Sequence, residues 1–132
     1  MSNESPHKSK SGLVRIWRAF RYSLEGFAAA LKHEHAFRQE LMLCLVLLPI
    51  ALFLPFSAIE RVLLIASLLL VLIVELLNSA VEAVVDRVSL DDHALSKRAK
   101  DIGSAAVFLS LTLTVIVWGI LAAPVVARWL AS

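Results

Sequence analysis

The stretch VLLIASLLLVLIVELLNSAVEAVVD, residues 62–86, decides the fold of this chain. It is apolar and long enough for a membrane-crossing helix, which needs about 20 residues. Yet it holds Glu75, Asn78, Glu82 and Asp86. A helix turns about 100° per residue, so with Glu75 at zero, Asn78 falls at about −60°, Glu82 at about −20° and Asp86 at about +20°. All four share one stripe. A carboxylate at a bilayer centre costs about 2.5–3.5 kcal/mol on insertion scales. Repeating that cost on one face points to a buried functional site.

Outward from this stretch, the chain keeps the same character. Residues 62–74 carry no charge, and only then does the stripe begin. Along the axis Glu75 lies about 20 Å from Val62 and Glu82 about 30 Å. The carboxylates therefore occupy one end of the helix and its mouth. A span of residues about 40–59 precedes it, with Pro49 inside and Pro55 marking its outer end. A third, uncharged span covers about 102–126. Between the second and third lies RVSLDDHALSKRAK, residues 87–100, which reads as a polar loop.

Upstream, Leu13, Ile16, Trp17, Phe20, Leu24, Phe27 and Leu31 recur at three- and four-residue steps, with Arg15, Arg18, Arg21 and Glu25 between them. A basic helix with Trp and Phe on its apolar face suits the membrane interface. It covers residues 12–32. Residues 1–11 are polar and basic and read as a disordered cytoplasmic tail, with no signal-peptide core. The expected architecture is therefore all-α: one amphipathic surface helix and three membrane spans, in a single domain over 12–132.

Composition agrees. The chain has 132 residues, 59% of them hydrophobic, with mean hydropathy +0.79. Soluble domains sit nearer 45–50%. A net charge of +2 is too small to argue for nucleic acid. Position says more than the sum. Lysines and arginines crowd the N-terminal flank and residues 87–100, whereas the other connection holds only Arg61 and the C-terminus only Arg128. The positive-inside rule then puts the N-terminus and the second connection in the cytoplasm, together with the stripe. A single cysteine, Cys44, excludes an internal disulfide and reads as packing.

Glu75 is the deepest carboxylate, and a partly desolvated carboxylate can serve as a general base. Glu82, nearer water, suits Mg²⁺, which takes oxygen ligands and keeps several waters. Asn78 would orient either. Glu34 and Glu40, at the entry to the first span, are placed to approach Glu82. Lys100 and Asp101 open the third span, and Lys100 would neutralise phosphate charge or simply snorkel. The alternative for the stripe is polar glue between helices. One Asn or Ser fits that, but three carboxylates do not, because uncharged groups make the same glue. His33 and His35 flank Glu34, but a spacing of two does not put them on one helical face. Without a glycine-rich loop, side chains and helix ends must hold any nucleotide phosphates.

The motif ELLNSAVEAVVD, residues 75–86, resembles the signature of the prokaryotic diacylglycerol kinases, small membrane-embedded lipid kinases. The resemblance continues in EHAFRQE (34–40), RVLLIAS (61–67) and RAKDIGSAAV (98–107). It implies a homotrimer in the bacterial inner membrane that transfers the γ-phosphoryl group of MgATP to the primary hydroxyl of a lipid. By matching position Glu75 would be the catalytic base, supported by Asn78, with Glu34 and Glu82 holding Mg²⁺. ATP would meet Arg15, Tyr22, Glu34, Glu82, Lys100 and Asp101, with Asp91, Asp92, His93, Ala94 and Leu95 near the nucleotide. The lipid would contact Arg15, Ala19, Phe20, Arg21, Tyr22, Ser23 and Leu24, then Ala28, Ala29, Ala30 and Leu31. It would also meet Ala36, Phe37, Arg38, Gln39, Glu40, Glu75, Ser104 and Trp118. Diacylglycerol is the expected acceptor and undecaprenol the alternative within the family. A proton-coupled, non-enzymatic membrane protein is the reading from another class. It is disfavoured because the carboxylates cluster at one end of the span.

Overall fold

The computed structural model describes residues 12–88 and 93–132. They form four helices: α1 Gly12–His33, α2 His35–Phe53, α3 Ala58–Val88 and α4 Ala94–Ala131. Among the described residues there is no strand. The last three helices are long and apolar enough to cross a membrane, so the chain is an all-α membrane protein. The expected tail, residues 1–11, lies outside the described residues.

The chain divides into two compact units, one ending at Glu34 and the other running His35–Ser132. The first contains α1. Its apolar face is exposed from Leu13 through Leu31, and the Trp17 and Phe20 rings lie 6.1 Å apart on it. Arg21 and Glu25 pair one turn apart at 3.8 Å. The Glu34 amide donates to the Ala30 carbonyl at 2.9 Å, closing the last turn.

In the second unit α3 packs against both α2 and α4. The apolar core sits at the end away from the carboxylates, where Ala51, Phe56, Leu64, Ala122 and Val125 meet. A rung of polar groups crosses α3 and α4 just beside it. Trp118 Nε1 donates to Ser67 Oγ at 3.1 Å. Thr114 Oγ1 lies 3.2 Å from the Ser67 carbonyl and 3.1 Å from the Ser110 carbonyl, to which it donates. Hydroxyls and an indole thus find partners inside the bundle, where lipid offers none.

The turn between α2 and α3 comes earlier than the expected boundary at 59. Pro55 disfavours helix at the residue before it, and α2 stops at Phe53. Ser57 then accepts from the Glu60 amide at 3.2 Å, the first half of a capping box spelled Ser57-Ala-Ile-Glu60. Arg61 folds back over this turn, donating to the carbonyls of Leu52, Leu54 and Phe56. It satisfies the orphan acceptors at the end of α2. Pro49 lies inside α2 without ending it.

The expected polar loop at 87–100 is mostly helix. α3 runs to Val88 and α4 begins at Ala94. His93 caps α4, its Nδ1 accepting from the Leu95 amide at 3.1 Å. Ala94, Leu95, Lys97, Arg98, Ala99 and Lys100 all favour helix, so once capped the segment extends the third span. At 38 residues α4 is about 57 Å long, well beyond a hydrocarbon core of about 30 Å. Its N-terminal turns, with Lys97, Lys100 and Asp101, project past the apolar layer.

Candidate active site

The stripe on α3 faces two neighbours rather than one. Glu75 turns toward α2 and is buried, with 4% of its surface exposed. Its carboxyl is hydrogen-bonded to that of Glu40 on α2. A hydrogen bond between two carboxyl groups needs a proton on one of them. Glu40 arrives there by helical spacing: Phe37, Glu40 and Cys44 follow one another at three- and four-residue steps, and Phe37 and Cys44 are buried on the same face. Sequence reasoning expected Glu40 near Glu82; its carboxyl meets Glu75 instead.

Asn78, Glu82 and Asp86 lie along the seam with α4. Asn78 Nδ2 donates to Glu82 Oε1 at 3.4 Å. That bond sets the orientation of the amide and leaves Asn78 Oδ1 buried with no hydrogen-bond partner. It points at Gly103 on α4, where a side-chain methyl would collide with it. One turn further from the core, Lys100 Nζ on α4 lies 2.7 Å from Asp86 Oδ1. Lys97 Nζ pairs with Asp101 Oδ2 at 2.6 Å on the same helix. Ser79, a turn beyond Glu75, is buried with an unpartnered Oγ.

The other expected site residues fall as follows. Arg15, Ala19, Phe20, Arg21, Tyr22, Ser23, Leu24, Ala28, Ala29 and Leu31 are exposed on α1, and Ala30 is buried. Ser23 bonds back to the Ala19 carbonyl at 2.9 Å. Glu34 is half-buried at the end of that unit. Arg38 bonds His35 Nδ1 at 3.1 Å, while Ala36 and Gln39 are exposed. Ser104 is exposed on α4, and Trp118 lies half-buried by the polar rung. Asp91 and Asp92 lie outside the described residues. Among the described residues no three His, Cys, Asp or Glu side chains gather as a metal-binding group.

The arrangement has the chemistry of a buried carboxyl paired with a half-buried one, beside a half-exposed carboxylate and a paired lysine. Residues 21–122 match the model of the prokaryotic diacylglycerol kinase family. The chain belongs to that family. Proteins named diacylglycerol kinase are similar to it along most of their length. The one from Pseudomonas aeruginosa is 58% identical over 114 residues, covering 86% of this chain and 93% of that protein. The Escherichia coli K12 protein is 53% identical over 111 residues, covering 84% and 91%. The Haemophilus influenzae protein is 50% identical over 109 residues, covering 83% and 92%. The matched region of this prokaryotic diacylglycerol kinase family member takes in α2, α3, the Gly103 contact and the Lys100–Asp86 pair.

Three features of the family member are not read from its sequence directly. Asp86 had no assigned partner there. The Glu40–Glu75 pair had a signal, since Glu40 shares a helical face with Phe37 and Cys44. Gly103 had none, because its meaning depends on which residue of another helix faces it.

Proposed function

We propose that this chain transfers the γ-phosphoryl group of ATP to the primary hydroxyl of diacylglycerol, giving phosphatidic acid. It works as a homotrimer, with residues 12–132 as one kinase domain, at the cytoplasmic face of the bacterial inner membrane. The lysine and arginine distribution supports that orientation. The observation that carries the reading is Glu75, a carboxyl buried in an apolar helix and bonded to a second carboxyl, in a chain of a kinase family.

Phosphoryl transfer demands positioning and charge neutralisation more than covalent chemistry. Glu75, as carboxylate, accepts the hydroxyl proton as the lipid oxygen bonds to the γ-phosphorus and ADP leaves. Glu40 fixes where the Glu75 carboxyl points. Glu82 and Glu34 would hold Mg²⁺, which supplies charge neutralisation at the transferred phosphate when bound. Glu82 is half-exposed with one oxygen engaged by Asn78, and Mg²⁺ needs only one or two carboxylates plus phosphate and water. Lys100 offsets phosphate charge, with Arg15, Tyr22, Asp101 and residues 91–95 contributing to ATP binding. Residues of α1, residues 36–40, Ser104 and Trp118 meet the lipid.

The test is a pair of assays on purified protein in detergent, one with diacylglycerol and one with undecaprenol, each with radiolabelled ATP. Phosphatidic acid formed well above polyprenyl phosphate supports the reading. The reverse moves the substrate to a polyprenol, and ion flux in liposomes without ATP consumption overturns the kinase reading altogether.

A further inference from the structure

We propose that Gly103 is a positioning residue for the reaction: its missing side chain makes the room in which Asn78 sits to hold Glu82. This rests on the kinase reading of the Asn78–Glu82 pair. Three observations meet at this point. A β-carbon on Gly103 would lie against Asn78 Oδ1 far inside contact distance, and 3.2 Å from Asn78 Cγ. Asn78 Oδ1 is buried with no hydrogen-bond partner, so no bond holds it there and only the shape of α4 leaves space for it. The other end of the same amide donates to Glu82 Oε1 at 3.4 Å.

The amide is a rigid plane, so its two ends move together. If Oδ1 is pushed away from α4, Nδ2 swings off Glu82. The obstruction would meet the tip of a side chain, not backbone, and a side chain yields by rotation. An added methyl is therefore expected to turn Asn78 while leaving α3 and α4 in place. Alanine also favours helix over glycine, so the helix itself does not suffer. Gly119, on the same helix, has nothing within 4 Å of an added β-carbon and provides the matched control.

The experiment compares Gly103→Ala, Gly119→Ala, Asn78→Ala, the double variant Gly103→Ala/Asn78→Ala and Glu75→Gln, purified in detergent. Each is assayed with diacylglycerol and MgATP and sized by chromatography. The Asn78 side-chain amide is followed by NMR in the Gly103→Ala protein. Gly103→Ala is expected to keep its oligomer, to lose on the order of 10- to 100-fold in kcat as misplacement of a catalytic group does, and to shift the Asn78 amide signal. Gly119→Ala should match the unaltered chain. With Asn78 already removed, the methyl on Gly103 should change nothing further, which a purely structural role would not produce.

An unmoved Asn78 amide, additive losses in the double variant, or Gly103→Ala at full rate while Glu75→Gln is inactive would overturn the inference alone. Loss of the folded oligomer in Gly103→Ala would also overturn it, since the obstruction would then have been met by the backbone. Full turnover in Glu75→Gln would sink the reading it rests on.

Discussion

Lys100 on α4 holds its ammonium 2.7 Å from the Asp86 carboxylate on α3, across the mouth of the stripe. Asp86 is thus the member of the stripe that holds a cation. The pair is about half-exposed on both sides. It restrains Lys100 near Glu82 without burying it, which under the proposed function would leave the ammonium able to turn to phosphate.

Replacing Asp86 with Asn removes that restraint and keeps the shape. KM for ATP should rise by about two- to fivefold with kcat little changed, the modest size expected of an exposed pair. Raising the salt concentration should narrow the gap, because the lost attraction is screened. Steady-state kinetics at two ionic strengths would check this. An unchanged KM would show that Lys100 needs no anchor.

The Glu40–Glu75 hydrogen bond makes a prediction about stability. Glu40→Ala leaves the buried Glu75 carboxyl without its partner, and should cost about 1–3 kcal/mol of unfolding free energy, the usual penalty for an orphaned buried polar group. Glu40→Gln still offers an amide donor to Glu75 and should cost less. Denaturation in mixed micelles would measure both. Equal losses would mean that Glu40 contributes packing alone.

At the opposite end, Leu64 is fully buried in the apolar cluster. Leu64→Ala should destabilise by about 2–5 kcal/mol through the cavity it leaves. Its specific activity per folded protein should not change, since the cluster lies far from the carboxylates. Thermal unfolding together with activity of the surviving fraction would check the separation.

Much of this was legible in the chain itself. Three apolar runs set the spans, and the period of Leu13, Trp17, Phe20, Leu24 and Leu31 set the amphipathic helix. The stripe was legible because helical spacing puts Glu75, Asn78, Glu82 and Asp86 on one arc. What each of them touches was not. Helical phase says which residues share a face, but not which neighbouring helix covers each part of it. So Glu75 meeting Glu40, and Asn78 meeting Gly103, emerged only from the packing. The starts of α3 and α4 differ from the expected ones for a local reason: Ser57 and His93 act as caps, and a cap looks like a loop until its hydrogen bonds are seen.

In the proposed reaction Glu75 accepts the proton of the lipid hydroxyl. Glu75→Gln keeps the size of the side chain and a hydrogen bond to Glu40, but takes away the base. The measurement is phosphatidic acid formed per unit time by this variant in mixed micelles with diacylglycerol and MgATP, with folding confirmed by chromatography. In this variant kcat should fall by about 100- to 10,000-fold, the range of general-base contributions, with an intact oligomer. Turnover at the rate of the unaltered chain would contradict it.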